Sequence, residues 1–293
     1  MSSIHSHAAA GLPDPDPNAG PPFSSLPLPP AMLDNLQRLG YVGMTPIQAA
    51  GLPLALAGKD LIAQAKTGSG KTVAFALPLL ANLNPRRFAV QALVLCPTRE
   101  LAEQVAQEIR RLARAEDNVK TLTLCGGAPT RAQVASLSHG AHIVVGTPGR
   151  ILDHLSRQTL ALDALNTLVL DEADRMLDMG FAEDIDRVIK LCPAGRQTLL
   201  FSATYPEGVA KMAGRFMREP QEVKLTERHA ATKIRQRFYE VKDSERLHAV
   251  GLLLNEGPAF EAGSGNPAAA WGWVLLMRDC PLLLALGWRK LRG

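Results

Sequence analysis

Residues 65–72 read Ala-Lys-Thr-Gly-Ser-Gly-Lys-Thr and follow the short apolar run of residues 61–63. This is the pattern of a phosphate-binding loop, in which glycines let backbone N–H groups turn inward around phosphates. Such a loop places Lys71 near the outer phosphates and lets the Thr72 hydroxyl hold Mg²⁺. Ala65 departs from the general pattern, because it stands where the first glycine is usual. A glycine-rich turn without a ligand is the alternative. A phosphate loop requires a strand before it and a helix after it, and the apolar run before residue 65 and the helix-compatible residues 73–80 meet this requirement.

Short apolar runs recur along the chain, and segments with helical periodicity separate them. The runs cover residues 92–96, 122–125, 142–146, 168–171 and 198–202, and the helical segments include residues 101–115, 150–156 and 209–217. Alternating strands and helices imply parallel strands joined by crossover helices. The sequence therefore predicts a three-layer α/β domain with a mostly parallel central sheet. Ligands of such sheets gather at the carboxyl ends of the strands.

An acidic pair, Asp171-Glu172, ends one of the apolar runs. A carboxylate in such a place is costly unless a cation or a donor meets it. Mg²⁺ is the expected partner of Asp171, while Glu172 is expected to orient and deprotonate the water that attacks a γ-phosphate. An acidic helix N-terminus is the alternative reading. Because the acidic pair follows an apolar strand downstream of the phosphate loop, the two motifs are better explained as the two halves of one nucleoside triphosphatase site.

Two further turns follow predicted strands, namely Pro97-Thr98-Arg99-Glu100 and Thr147-Pro148-Gly149-Arg150. A hydroxyl, a backbone N–H near a helix start and two arginines form a combination that grips phosphates and sugars without reading bases. The sequence thus predicts a polyanion backbone at these turns. Solvated surface arginines remain the alternative.

Charge and cysteine usage bound the class of protein. The 293 residues carry 32 Lys and Arg against 28 Asp and Glu, and this net charge of +4 permits a nucleic acid partner without requiring one. The four cysteines lie far apart, so neither a zinc site nor a disulfide scaffold is suggested. Three of them lie in apolar contexts and are expected to be buried free thiols of a cytoplasmic protein. The proline-broken N-terminus lacks the form of a secretory signal, and neither a membrane span nor an obligate protein partner is indicated.

The two ends of the chain differ in composition from the middle. Residues 1–22 are rich in Pro, Ala, Ser and Gly and are expected to form a disordered leader. Residues 256–293 contain turn formers and all three tryptophans, and they do not resume the alternation of strands and helices. This segment is expected to be an irregular tail, foreign to the rest of the chain.

Taken together, the motifs resemble those of the DEAD-box RNA helicases over residues 23–255. Residues 65–72 are similar to the family's form of the phosphate loop, which carries Ala first, and Asp171-Glu172-Ala173-Asp174 spells the motif that names the family. Ser202-Ala203-Thr204 resembles the motif that links hydrolysis to strand separation. The glycine doublet at 126–127 and the two arginine turns resemble RNA-backbone motifs. Residues 40–48 resemble the adenine-reading Q motif, with Phe23 as its upstream aromatic.

The resemblance implies roles for individual residues, with ATP and Mg²⁺ as cofactors and RNA as partner. Catalysis is expected of Lys71, Asp171, Glu172, Ser202 and Thr204, and metal binding of Thr72 and Asp171. ATP binding is expected of Phe23, Gln48, Ala65, Lys66, Thr67, Gly68, Ser69, Gly70, Lys71 and Thr72. RNA binding is expected of Pro97, Thr98, Arg99, Gly127, Thr147, Gly149 and Arg150.

The resemblance also implies a division of the chain. Residues 23–50 form the Q-motif region, 51–225 a RecA-like ATP-binding domain, and 226–255 a linker leading to a second RecA-like domain whose motifs are missing. Met44 and residues 64–66 are similar to the bacterial DbpA subfamily, which acts on ribosomal RNA. An RNA-dependent ATPase with feeble turnover is therefore expected. A nucleotide- and RNA-binding fragment without catalysis is the alternative, and a DNA-directed motor is a third, less favoured reading.

Overall fold

A computed structural model describes residues 20–115, 118–225, 238–239, 243–245, 248, 270–276 and 284–290 of the chain. The chain divides into two units, Met1–Leu225 and Thr226–Gly293. The motifs singled out in the sequence all lie in the first unit.

The first unit is built on a seven-stranded sheet whose strand order is β3-β4-β2-β5-β6-β1-β7. Every pairing between these strands is parallel, as the alternation of strands and helices predicts. The strands are β1 (Leu61–Gln64), β2 (Ala92–Leu95), β3 (Thr121–Leu124), β4 (Ile143–Gly146), β5 (Thr167–Leu170), β6 (Gln197–Ser202) and β7 (Gln221–Lys224).

Helices cover both faces of this sheet. They are α1 (Pro30–Arg38), α2 (Pro46–Leu56), α3 (Lys71–Ala81), α4 (Arg99–Leu112), α5 (Thr130–Ser138), α6 (Pro148–Ser156), α7 (Ala173–Asp178), α8 (Ala182–Lys190) and α9 (Glu207–Phe216). One apolar core includes residues of α1 to α4, and a second core includes residues of α6 to α9. The three-layer α/β prediction is thereby confirmed.

Alternate residues of each central strand supply the two cores. In β2, Val94 belongs to one core, while Leu93 and Leu95 belong to the other. A strand that is covered on both faces reads as a continuous apolar run, which is why these strands stand out in the sequence. The rings of Phe75 in α3 and Phe201 in β6 meet edge to face at 5.3 Å between centroids and fix the helix after the phosphate loop to the sheet.

Three residues of the expected leader, 20–22, are among those that the structure describes. The Pro21 carbonyl accepts a hydrogen bond of 2.8 Å from the Met44 N–H, so residues 20–22 are part of the folded unit rather than of a disordered leader. A backbone carbonyl can make this contact whatever its side chain, so composition gives no sign of it. Residues 1–19 of the expected leader lie outside the described residues.

In the second unit, most of the described residues belong to three strands, β8 (Phe238–Tyr239), β9 (Ala270–Leu276) and β10 (Leu284–Lys290). They form an antiparallel sheet of order β8-β10-β9, in which Trp273 faces Gly287 and Gly272 faces Trp288. These strands differ from the irregular tail expected at residues 256–293. Trp, Val and Leu favour strands, and this preference outweighs the turn formers that precede them. Most of the expected linker at 226–255 lies outside the described residues.

Two features bear on the class of protein. Throughout the described part of the chain, helices are too short or too polar to cross a membrane. Cys96, Cys125 and Cys192 are buried free thiols, as expected, and Cys280 lies outside the described residues.

Candidate functional site

The phosphate-loop residues lie between β1 and α3, so the helix begins at Lys71 with its N-terminus turned to the loop. Gly68 and Gly70 have φ of +83° and +89°, a conformation that residues with a side chain rarely adopt. A Cβ on Gly70 would also lie only 2.5 Å from Gln48 Nε2. Glycine is therefore required at position 70 for two separate reasons, conformation and space.

Ala65 explains the departure from the general motif. It is buried, its φ is not positive, and its N–H donates a 3.0 Å hydrogen bond to the Ser202 carbonyl. A methyl group is tolerated here because the backbone needs no glycine conformation. Lys66, Thr67 and Gly68 form the exposed part of the loop, and Thr72 is half-buried in the first turn of α3.

Among the residues that the structure describes, buried polar atoms near the loop without hydrogen-bond partners include Ser69 Oγ, Lys71 Nζ and Asp171 Oδ1. Burial raises the pKa of Asp171 to about 6, and the nearby Lys71 charge only partly opposes this rise. A buried ammonium and a buried carboxylate oxygen that lack hydrogen-bond partners are unfavourable alone. The set fits a ligand that brings both anionic oxygens and a cation, as a magnesium-bound triphosphate does.

Glu172 follows Asp171 in a left-handed conformation, with φ 55° and ψ 52°. Its Oε1 accepts a 3.0 Å bond from the Thr67 hydroxyl, and its Oε2 accepts a 3.1 Å bond from Arg175 Nη1. The carboxylate thus lies against the phosphate loop, although Glu172 is 105 residues away from Thr67 in sequence. A non-glycine residue with positive φ is uncommon and marks a place where neighbouring structure holds the backbone.

Ser202 and Thr204, predicted to be catalytic, contact Asp174. The Asp174 N–H donates to Ser202 Oγ at 3.2 Å, and Asp174 Oδ2 accepts from the N–H and the hydroxyl of Thr204 at 2.8 and 2.7 Å. Together with the Ala65 bond to the Ser202 carbonyl, these contacts tie the end of β6 to both halves of the nucleotide site. In this structure the two residues act as positioning residues, and their role in hydrolysis stays a prediction.

The Q-motif residues lie against the same loop. Gln48 is buried, its Nε2 donates to the Gly70 carbonyl at 3.0 Å, and its Oε1 accepts from the Thr45 N–H at 2.9 Å. Phe23 is also buried, and its ring meets that of Tyr41 edge to face at 6.2 Å. The contact of Gln48 with the loop places it beside the phosphate site, while adenine recognition by Gln48 and Phe23 stays a prediction.

The first predicted RNA turn follows β2. Pro97 is buried, and Thr98 begins α4 by accepting a 3.3 Å bond from the Leu101 N–H. Arg99 is exposed, and its Nε pairs with Glu103 Oε1 at 2.9 Å. Gly127 has φ +79°, and a Cβ there would lie 3.1 Å from Arg99 Nη1. The structure therefore brings together two residues that the sequence places 28 positions apart.

The second predicted RNA turn follows β4. Thr147 precedes α6, its side chain makes no capping bond, and its N–H donates to the Leu124 carbonyl at 3.2 Å. Gly149 is exposed in the first turn of the helix. Arg150 Nη1 donates to Thr130 Oγ1 at 2.7 Å and to Gln133 Oε1 at 3.2 Å. The turn thus presents a hydroxyl, a helix N-terminus and an anchored guanidinium.

The strand order separates these residues into two neighbouring groups. The nucleotide residues follow β5, β6 and β1, which are consecutive in the sheet, and the RNA residues follow β3, β4 and β2. The two groups adjoin where β2 pairs with β5. The sequence did not predict the contacts that hold these residues in place. Glu172 is held by Thr67 and Arg175, and Thr204 is held by Asp174. Arg150 is held by Gln133, which in turn contacts His154. Only Asp174 carried a signal, as the last letter of the acidic motif.

Comparison with known proteins gives the same assignment. The chain is 58% identical to the ATP-dependent RNA helicase DbpA of Escherichia coli K12 over 80% of the chain and 51% of that protein. It is 45% identical to the ATP-dependent RNA helicase CshA of Listeria monocytogenes over 80% of the chain and 45% of that protein. The chain thus spans about half the length of the curated relatives it matches.

A solved structure is also similar. The crystal structure of a DEAD box protein from the hyperthermophile Methanococcus jannaschii matches 80% of the chain and 63% of that protein, with a TM-score of 0.67 and 40% identity. The profile of the DEAD/DEAH box helicases matches residues 45–212, a range that holds the phosphate loop, the acidic motif and both arginine turns. The chain therefore belongs to the DEAD/DEAH box helicase family.

Proposed function

We propose that the chain binds Mg·ATP at the phosphate loop and RNA along the adjoining strand ends, as the ATP-binding half of an RNA-dependent ATPase and helicase. The observation that carries the proposal is the pair of buried, unbonded groups, Lys71 Nζ and Asp171 Oδ1. No ion pair joins them among the described residues, so a ligand that brings an anionic oxygen to Lys71 and a cation to Asp171 would satisfy both. Family membership and the named relatives support ATP and RNA as the two ligands.

Each residue of the nucleotide site has a chemical task in this proposal. Lys71 and the loop N–H groups bind the outer phosphates, while Thr72 and Asp171 hold Mg²⁺, which when bound neutralises charge on the transferring phosphoryl group. The Glu172 carboxylate accepts the proton of the attacking water. Its bonds to Thr67 and Arg175 hold it at the loop before a nucleotide binds.

The RNA side of the proposal rests on backbone contacts. Arg99 and Arg150 offer charge, and Thr147 and Gly149 offer a hydroxyl and a helix N-terminus, all of which suit phosphate oxygens rather than base edges. Binding should therefore depend little on sequence.

We extend the proposal to ribosomal RNA as substrate and the cytoplasm as location. The 58% identity with the E. coli DbpA relative supports the first. The three buried free thiols support a reducing compartment, and hence the second.

A second candidate function is nucleotide and RNA binding without productive turnover. It concerns this span of residues, which covers 51% of the E. coli relative. In P-loop enzymes an arginine that reaches the γ-phosphate contributes roughly 10³ to 10⁵ in rate, and such a group can come from another domain or protein. We therefore expect slow phosphate release and no unwinding by the chain alone.

RNA-stimulated phosphate release separates the two candidates. The chain is assayed with Mg·ATP, with and without single-stranded RNA, beside Glu172→Gln and the exposed control Glu183→Gln. Loss of the general base should lower release by roughly 10² to 10⁴ while calorimetry shows unchanged Mg·ATP binding. Binding without RNA-stimulated release would support the second candidate, and absence of Mg·ATP binding would refute both. Stronger stimulation by single-stranded DNA would indicate a DNA-directed motor.

A further inference from the structure

Helix α5 (Thr130–Ser138) buries one residue, and that residue is polar. Gln133 is only 7% exposed, whereas the other residues of the helix are exposed or half-buried. A surface helix normally buries an apolar stripe, and burial of an amide is costly unless its hydrogen bonds are made. The choice of Gln therefore requires an explanation in terms of what its amide contacts.

The Gln133 amide joins three segments. Its Nε2 donates to the Cys125 carbonyl at the end of β3 at 2.9 Å. Its Oε1 lies 3.2 Å from Arg150 Nη1 and 2.9 Å from His154 Nε2, both on α6. Because a carbonyl oxygen only accepts, His154 Nε2 carries the proton of this contact. The Thr159 hydroxyl lies 2.8 Å from His154 Nδ1 and 3.1 Å from the His154 carbonyl, and its single proton can serve either acceptor. The Gln133 amide and the His154 ring thus have defined orientations.

Arg150 is held through one of its nitrogens. Nη1 contacts Thr130 Oγ1 at 2.7 Å, Gln133 Oε1 at 3.2 Å and the Ala128 carbonyl at 3.5 Å, and all three acceptors are neutral. Among residues 20–115 and 118–225, no carboxylate forms an ion pair with Arg150, and its Nε and Nη2 make no hydrogen bond. The guanidinium is thus held in place without an ion pair among these residues, and Asp153 interacts with its charge only at longer range. Its Nε and Nη2 remain open to a ligand.

Arg99 provides a contrast at the neighbouring turn. Its Nε is taken by Glu103, and both side chains are about half exposed, at 50% and 49%. Glu103 therefore partly compensates the charge of Arg99, and a half-exposed pair fixes the guanidinium less firmly. Arg150 is held by neutral acceptors that include the buried Gln133, and fixing a donor in advance lowers the entropy lost on binding.

We propose that Gln133 is a positioning residue for RNA binding: its buried amide fixes Arg150 Nη1 so that Nε and Nη2 remain directed to a backbone phosphate. The inference rests on the proposed RNA role of Arg150. The new point is that helix α5, to which no RNA contact is assigned, holds the Arg150 guanidinium in position before RNA binds. Planar two-donor binding of phosphate by arginine makes orientation as important as charge.

A double-mutant cycle tests the inference. Gln133→Leu, Arg150→Ala and the double variant of the full chain are compared by fluorescence anisotropy with a labelled ten-residue single-stranded RNA. Loss of one charged hydrogen bond weakens binding about tenfold, so each single variant should show about this loss. If Gln133 acts through Arg150, the double variant should bind no more weakly than Arg150→Ala. Calorimetry should show unchanged Mg·ATP affinity in all three.

Thr159→Val is the matched control. It removes the hydroxyl that contacts His154 Nδ1 and the His154 carbonyl and leaves the Gln133 and Arg150 contact in place, so it should lower the melting temperature without changing RNA affinity. Equal loss of RNA affinity in Thr159→Val and Gln133→Leu would mean that the network is only structural. Fully additive losses in the double-mutant cycle would also overturn the inference.

A second variant covers the case in which Gln133→Leu fails to fold. Gln133→Glu keeps an acceptor oxygen near Arg150 but adds a carboxylate that neutralises the guanidinium. It should weaken RNA binding and reduce the slope of log affinity against log salt by about 0.7. Wild-type affinity in this variant would contradict the inference. If the wild-type chain binds no RNA, the proposed function fails with it, whereas additive losses in a chain that binds RNA refute the inference alone.

Discussion

The buried carboxylate of Asp171, whose Oδ1 has no hydrogen-bond partner, should lower the stability of the nucleotide-free protein at neutral pH relative to mild acid. Burial raises the pKa of this group from 3.8 to about 6. Since each tenfold change in proton affinity is worth about 1.4 kcal/mol, the whole effect is about 3 kcal/mol. An acid whose pKa is raised by folding stabilises the fold below its unfolded pKa, and that stability is lost as pH rises through the folded pKa.

The variant Asp171→Asn isolates this effect because its amide does not titrate. We expect the wild-type minus variant difference in unfolding free energy to fall by about 2 kcal/mol between about pH 4.5 and about pH 7.5. Any cost of burying the new amide is the same at both pH values and cancels. Urea unfolding without Mg²⁺ or nucleotide measures the difference. At neutral pH, Mg·ATP at about 100 times its dissociation constant should then stabilise the wild type by about 2.7 kcal/mol and the variant much less.

Asp186→Asn is the control, because a hydrogen bond from Lys190 lowers the pKa of this exposed carboxyl. Its dependence on pH should be weak and of opposite sign, since a lowered pKa adds stability that is lost on acidification. A free-energy difference for Asp171→Asn that stays flat across this pH range would refute the reasoning. It would mean that the carboxylate is solvated or already paired.

Two other substitutions test the packing around the site. Gly70→Ala places a methyl group 2.5 Å from Gln48 Nε2 at φ +89°, so calorimetry should show at least about tenfold weaker Mg·ATP binding. Gly58→Ala is the control, because its φ is +75° but its Cβ would lie in open space, and it should lower stability without changing Mg·ATP binding. Equal losses of Mg·ATP affinity in the two variants would contradict the role of the clash. Tyr41→Phe removes the hydroxyl that donates to Glu108, a bond that together with burial raises the pKa of Tyr41 to about 12. Urea unfolding should show a loss of about 1 kcal/mol, and an unchanged midpoint would mean that the bond makes no net contribution.

The sheet and the placement of the site were predictable because the central strands are buried on both faces. Residues 92–95 and 167–170 are fully buried, so they read as apolar runs, and their polar successors identify the ligand-binding edge. Strand β7 was missed because it lies at the edge and buries only Val223. Its Gln, Glu and Lys face solvent, so no apolar run marks it.

The contacts that hold the site could not be predicted, since they join residues far apart in sequence. The Thr67 bond to Glu172 spans 105 residues, and the anchor of Arg150 on Gln133 links two helices through one amide. A buried Gln in a helix looks like a surface residue to any periodicity argument. The positive φ of Glu172 was equally hidden, because nothing in an Asp-Glu pair indicates a left-handed backbone.

The strand order has a mechanical consequence. Neighbouring strands are about 4.8 Å apart, and the ladder between β2 and β5, continued by the Asp171 N–H bond of 2.9 Å to the Leu95 carbonyl, keeps them in register. The sheet therefore holds the candidate nucleotide residues after β5 and the candidate RNA residues after β2 at a fixed spacing. Moving one group relative to the other would require breaking this ladder.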